Sequence, residues 1–91
     1  MSKRNVEICR IANINGYGYA WSIFSPVSEN DTPRANTKQA ATMGCLADCE
    51  DVIRHEGGSR DDFEFTGGGV VPSMVEKWKA EEFEACDVIN N

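Results

Sequence analysis

The chain begins with two stretches dominated by β-branched and aromatic residues, at 5–14 and 17–25. Asn15-Gly16 lies between them, and this dipeptide favours a type I′ turn because both of its residues tolerate positive φ. The pattern therefore predicts an antiparallel β-hairpin with a two-residue turn. Such a turn places Arg10 opposite Trp21.

The same turn decides which face of the hairpin is buried. Gly18 indicates a bulge or a longer loop, either of which would shift the register and exchange the two faces. Without that shift, one face carries most of the large apolar side chains and is expected to face the core: Val6, Ile8, Ile14, Tyr17, Tyr19, Trp21 and Ile23.

A helix is predicted after the loop at 26–36, which contains two prolines and many turn-forming residues. Asn36 is the expected N-cap, with Gln39 three residues later, and Gly57-Gly58 is the expected C-terminal signal. Between them runs a stripe at helical spacing: Thr42, Cys45, Leu46, Cys49, Val52 and Ile53.

The remainder predicts a third strand and a second helix. Phe63 and Phe65 alternate with polar residues in 62–66, as in a strand packed on one face. After the glycines at 67–69, Ser73 and Glu76 fit a capping box. One helix is then expected to carry these apolar positions: Met74, Val75, Trp78, Phe83, Ala85, Cys86 and Ile89.

The order of these elements predicts an α+β fold, β-β-α-β-α. We expect an antiparallel sheet made of the hairpin plus the third strand, with two helices packed on one face. The pattern leaves open which hairpin strand the third strand joins. A chain of 91 residues is expected to form a single compact domain over 1–91. It has little room for a deep active-site cleft or a large cofactor.

Charge narrows the classes of partner. The chain has 15 acidic and 9 basic side chains, a net charge of −6. A net-negative surface repels nucleic acid and anionic membranes, so neither is expected as a direct partner. The N-terminal residues are not expected to act as a signal peptide, and no apolar run approaches the roughly 20 residues that span a bilayer. We therefore expect a cytoplasmic protein.

Candidate chemistry is sparse in this sequence. The four cysteines are expected to be reduced thiols, mostly buried, because a cytosol disfavours disulfides. Cys45 and Cys49, with His55 and either Cys9 or Cys86, resemble a zinc ligand set, but the cysteine pair lies within an amphipathic stripe. Gly67-Gly68-Gly69 lacks the lysine of a phosphate loop. We expect no enzyme activity, no metal and no cofactor.

The acidic residues are unevenly distributed. Residues 1–38 carry a net charge of +2, whereas residues 39–91 carry −8. Acids concentrated on two helices and their link are typical of a surface that attracts a basic protein, such as one that itself binds DNA or RNA. The predicted partner-binding residues are Asp48, Glu50, Asp51, Asp61, Asp62, Glu64, Glu76, Glu81, Glu82 and Glu84.

Small size, acidity, a compact α+β domain and the Gly18–Ile23 strand together resemble the small phage or mobile-element inhibitors of the anti-CRISPR type. The resemblance implies a non-enzymatic inhibitor that binds a Cas effector complex and blocks target DNA binding, acting in the host cytosol. The basic first third departs from a uniformly acidic DNA mimic.

The alternative is a small structural or interaction domain with buried thiols or a structural zinc site. The aromatic hairpin leaves both a monomer and a homodimer open.

Overall fold

A computed structural model describes residues 6–14, 18–23 and 33–90 of the chain. Four strands and three helices lie in these ranges, together with a short 3₁₀ turn at Arg60–Asp62. The strands are β1 (Glu7–Asn13), β2 (Tyr19–Ile23), β3 (Arg34–Ala35) and β4 (Phe63–Thr66). The helices are α1 (Lys38–Glu56), α2 (Pro72–Lys79) and α3 (Ala85–Asn90).

The strands form one mixed sheet in the order β3-β2-β1-β4. The predicted α+β class and the antiparallel β1–β2 hairpin are confirmed, but the expectation of a wholly antiparallel sheet is wrong at β4. Strand β4 joins the free edge of β1 and runs parallel to it. Parallel pairing requires a crossover connection. Helix α1 supplies it, because it follows β3 in the chain, crosses the sheet and precedes β4 at the opposite edge.

The hairpin register differs by one residue from the two-residue-turn prediction. Trp21 pairs with Ile11 rather than Arg10. The amide of Ile14 donates to the carbonyl of Gly18 at 3.0 Å, so the connection is longer than Asn15-Gly16 alone. Gly18 has φ 107°, and a Cβ there would collide with the carbonyl oxygen of Ala35. The glycine therefore allows β3 to approach the end of the hairpin.

This register makes the predicted core face right for β2 and wrong for β1. Tyr19, Trp21 and Ile23 pack against the core as expected. On β1, Cys9 and Ile11 are fully buried, whereas Val6 and Ile8 are 51% and 41% exposed. Of the other predicted members, Ile14 is buried, and Tyr17 lies outside the described residues.

Helix α1 follows its predicted stripe closely. The side chain of Thr37, not Asn36, caps its N-terminus by accepting from the amide of Ala40 at 3.1 Å. Gly57 ends it as predicted, with φ 83° and its amide donating to Ile53 at 2.8 Å. The buried side of α1 covers the sheet and contains Ala41, Thr42, Gly44, Cys45, Leu46, Ala47, Cys49 and Glu50.

The second predicted helix is two helices in the structure. Helix α2 begins at Pro72 after Val71, without the expected Ser73 capping box, and the chain turns at Glu81, which has φ 60°. Two side chains from elsewhere satisfy the backbone at this break. Arg60 donates to the carbonyls of Trp78 and Phe83, and Glu50 accepts from the first amides of α3. Helical spacing continues across the break, so periodicity alone missed it.

The core lies between the sheet and the helices. Trp78 from α2 is fully buried and makes edge-on contacts with Phe63 and Phe65 of β4, with ring centroids 6.4 and 6.1 Å away. Leu46 and Ile11 complete the centre of this layer. Among the described helices, none is both long enough and apolar enough to cross a membrane.

Candidate functional site

An acidic groove lies where α1, β2 and α3 meet, and we call it the Asp48 groove. It has a volume of about 570 Å³. Its described lining is Trp21, Ala40, Gly44, Ala47, Asp48, Asp51, Arg54, Cys86, Asp87 and Ile89. The groove therefore combines an aromatic ring, an aliphatic wall and three carboxylates.

Trp21 and Asp48 are fixed to each other inside this groove. The indole Nε1 of Trp21 donates to Asp48 Oδ2 at 2.7 Å. Gly44, one turn before Asp48, makes room for the ring, because a Cβ at Gly44 would overlap the six-membered ring of Trp21. Burial raises the pKa of Asp48 and outweighs the opposing effect of the Trp21 hydrogen bond. A cation that enters the groove would therefore stabilise the charged form of this half-buried carboxylate.

The groove also contains one cation of its own. Arg54 pairs with Asp51 one turn earlier on α1 at 2.7 Å, and both side chains are more than half exposed, at 58% and 53%. Exposed pairs of this kind contribute only about 0.2–1 kcal/mol, so a partner can displace the pairing at little cost. Three carboxylates against one guanidinium leave the described lining net negative.

Glu50 does not lie on the acidic surface to which the sequence assigned it. It is 6% exposed, and its carboxylate accepts from Trp78 Nε1 at 2.7 Å and from the amides of Ala85 and Cys86 at 2.5 and 2.9 Å. Burial raises its pKa, but these three hydrogen bonds outweigh burial and the net pKa is lowered. Glu50 is therefore a structural carboxylate on the buried side of α1.

Arg60 completes the same internal network. Its guanidinium lies 4.9 Å from the centre of the Trp78 ring and 3.8 Å from Glu50. It also pairs with Glu84 at 2.6 Å, so that exposed predicted acid already has an intramolecular partner. This network joins the 3₁₀ turn to α1, α2 and α3 and leaves Glu50 with no role on the outer surface.

The other predicted acids are distributed over four places. Asp48 and Asp51 line the Asp48 groove together with Asp87, while Glu64 and Glu76 line a second groove of about 390 Å³ between β4 and α2. Asp61 is exposed in the 3₁₀ turn, where the Asp62 carboxylate caps the amide of Ser59 at 2.9 Å. Glu81 and Glu82 are exposed between α2 and α3. Their positions divide the predicted surface into separate patches.

A second candidate site is buried beneath α1. The Sγ atoms of Cys9, Cys45 and Cys49 all lie within 4.8 Å of one another, and we call them the thiol cluster. Each of the three residues is fully buried, and the Cys9 and Cys49 sulfurs are 3.6 Å apart. Cys86 is half-buried outside this cluster. The expectation of free thiols, mostly buried, is confirmed.

The three thiols strongly influence one another. Hydrogen bonds from Cys45 and Cys49 lower the pKa of Cys9 to about 5 against the opposing effect of burial. The hydrogen bonds of Cys49 with Cys45 and Cys9, together with burial, raise the pKa of Cys49. The pKa of Cys45 is also raised, because the hydrogen bond to Cys9 and burial together outweigh the opposing hydrogen bond to Cys49. A first negative charge in the cluster is stabilised, and further ones are opposed.

His55 is far from this chemistry. It is exposed near the end of α1, where its Nδ1 lies 2.8 Å from the carbonyl oxygen of Asp51. At that position His55 is not part of the cysteine group with which the sequence associated it.

Sequence reasoning left open whether Cys9 or Cys86 joins Cys45 and Cys49, and it missed the role of Asp87. Cys45 and Cys49 are visibly one turn apart, but Cys9 reaches them only because the hairpin register turns it inward. Asp87 lines the Asp48 groove only because α3 is separate from α2 and packs on α1. No family model, curated protein or solved structure matches the chain.

Proposed function

We propose that this protein is a non-enzymatic inhibitor that binds a basic, nucleic-acid-binding host protein, and that the Asp48 groove is its contact centre. The observation that carries the proposal is the convergence of Asp48, Asp51 and Asp87 beside the Trp21 ring. By this proposal a Cas effector complex, whose target-DNA site is basic, is the first partner to test. The protein acts by occupying the surface that target DNA requires.

The groove has the features that a basic side chain of a partner needs. The aliphatic stem of an arginine or lysine packs on Ile89 and the Trp21 ring, and the cation meets the carboxylates of Asp51 and Asp87. An aromatic anchor next to charges is typical of the residues that dominate a protein interface. The acids outside this groove contribute long-range attraction in this scheme.

The two tryptophans allow a test that requires no knowledge of the partner. The Trp21 indole N–H lies in the groove, whereas that of Trp78 is hydrogen-bonded to Glu50 in the core. We expect a short oligo-arginine peptide to shift the Trp21 indole resonance in an ¹H–¹⁵N spectrum and to leave that of Trp78 unchanged. Equal shifts of both signals, or of neither, would contradict binding in the groove.

Charge variants separate the groove from the general acidity of the chain. Asp51→Asn with Asp87→Asn is expected to weaken peptide binding by at least about tenfold, the effect of losing roughly 1.4 kcal/mol. Asp61→Asn with Glu82→Gln removes the same charge outside the groove and is the matched control. Equal weakening by both pairs would show that net charge alone attracts the peptide.

The partner class needs its own assay. A purified Cas effector complex is expected to lose target DNA binding when the protein is added, and to retain it when the Asp51→Asn, Asp87→Asn variant is added. If the wild-type protein leaves DNA binding unchanged while oligo-arginine still binds the groove, the proposed Cas partner is wrong and the groove proposal stands.

A further inference from the structure

The thiol cluster has the composition of a metal site although its sequence spacing does not suggest one. Cys45 and Cys49 project from successive turns of α1 toward the sheet, and Cys9 meets them from β1. A metal–sulfur bond of about 2.3 Å places three thiolates around one ion about 4.0 Å apart. The Cys9–Cys49 sulfur separation is 3.6 Å and none of the three separations exceeds 4.8 Å, so the sulfurs already lie close to that spacing.

The donors in this site are three sulfurs. Among the described residues, the group able to hold an ion consists of the three cysteines, with no carboxylate or histidine at ligand distance. Full burial of all three also leaves no open side for a water ligand. Zinc is almost always four-coordinate and tetrahedral in structural sites, so a sealed three-sulfur site suits it poorly. Soft thiolates select Cu(I), which is stable with three sulfur ligands.

We propose that Cys9, Cys45 and Cys49 bind one Cu(I) ion as three thiolates. Binding releases the protons that the thiols still carry and forms three copper–sulfur bonds, with no change in the oxidation state of copper or sulfur. The bound ion joins β1 to α1 through the centre of the domain.

The copper site is tested on the full, reduced chain under anaerobic conditions. We titrate it with Cu(I) held by the chromophoric chelator bicinchoninate and expect one ion bound per chain. X-ray absorption at the copper edge is expected to show three sulfur neighbours. A failure to remove copper from the chelator, or a shell of two or four sulfurs, would overturn the assignment. Zn²⁺ bound more tightly than Cu(I) would overturn the choice of ion.

Single substitutions identify the ligands. We expect Cu(I) affinity to fall by roughly 100-fold or more in each of Cys9→Ser, Cys45→Ser and Cys49→Ser. Even a change to a residue that only supports a metal ligand lowers metal affinity by about 10–100-fold. Cys86→Ser keeps the cluster intact and is the matched control. A ligand binding only to the native state raises the midpoint of thermal unfolding. Cu(I) is therefore expected to raise the midpoint of wild type and Cys86→Ser alike, and no rise in either would reject a native site.

Discussion

At the scale of single residues, the most informative side chain is Glu50, because its charged carboxylate stabilises the interior of the fold. Its carboxylate receives hydrogen bonds from Trp78, Ala85 and Cys86 and lies 3.8 Å from Arg60. Hydrogen bonds to a charged group contribute more than neutral ones, about 1.5–3 kcal/mol each. A buried charge so arranged resembles a capping residue that acts on another helix.

Glu50→Gln is expected to destabilise the fold by about 2–4 kcal/mol, because an amide NH₂ group then faces backbone donors and Arg60 loses its buried counter-charge. The lowered pKa of Glu50 also determines the pH dependence. Its stabilisation is fully present above the unfolded value of about 4.3 and is lost as pH falls through the folded value.

Urea unfolding between pH 3 and pH 7 measures both effects. Wild type is expected to lose stability below about pH 4.3, and Glu50→Gln to show a flatter profile in that range. Glu84→Gln removes the exposed carboxylate that also pairs with Arg60 and is the control. Parallel profiles for wild type and Glu50→Gln would contradict the assigned role.

At the scale of elements, the break between α2 and α3 places α3 against α1. Glu81 adopts φ 60°, a left-handed conformation that favours glycine, and the other non-glycine residues of the described chain avoid positive φ. The conformation persists because Arg60 holds the carbonyls of Trp78 and Phe83 on either side of the turn. The break forms one wall of the Asp48 groove by placing Asp87 and Ile89 there.

Glu81→Gly is expected to stabilise the protein by about 0.5–1 kcal/mol, because relief of the left-handed strain exceeds the entropy that glycine adds to the unfolded chain. Chemical denaturation measures the change. Glu82→Gly, at the neighbouring exposed position with ordinary φ, is expected to destabilise. Destabilisation by both variants would mean that the Glu81 side chain contributes more than its backbone strain costs.

The elements also show how far the sequence predicts the structure. Local signals, namely the α1 stripe, Gly57 and the alternation of Phe63 and Phe65, predicted their elements because the physical cause lies within a few residues. The β1 face, the parallel β4 and the α2–α3 break depend on distant partners: Ala35 against Gly18, β1 beside β4, and Arg60 at the turn. The candidate sites share that dependence, since Cys9 and Asp87 reach them through these same features.

At the scale of the whole molecule, charge separation matters more than net charge. The N-terminal strands come from the slightly basic part of the chain, and the three helices from the acidic part. Helix α1 packs on the sheet, α2 contacts β4 through Trp78, and α3 packs on α1. Most predicted acids lie on these helices or on the links beside them. An uneven field of this kind orients an approaching basic partner before contact.

The association rate with a basic partner is therefore expected to depend strongly on salt. Raising the ionic strength from about 0.01 to 0.15 M shortens the screening length from about 30 to 8 Å and should slow association with oligo-arginine at least tenfold. Stopped-flow tryptophan fluorescence of the wild-type protein measures this rate, because Trp21 lies in the groove whereas Trp78 is buried in the core. A salt-independent rate would contradict long-range attraction and would show that short-range contacts alone drive binding.

The parallel pairing of β4 with β1 also has a consequence for synthesis on the ribosome. Glu7 is made well before Phe63, its partner in the sheet. The hairpin can pair locally as soon as β2 emerges, whereas the other edge of β1 stays without its strand until α1 has been completed. Because such long-range pairing is slow, that open edge is the part of the nascent chain most exposed to pairing with another chain.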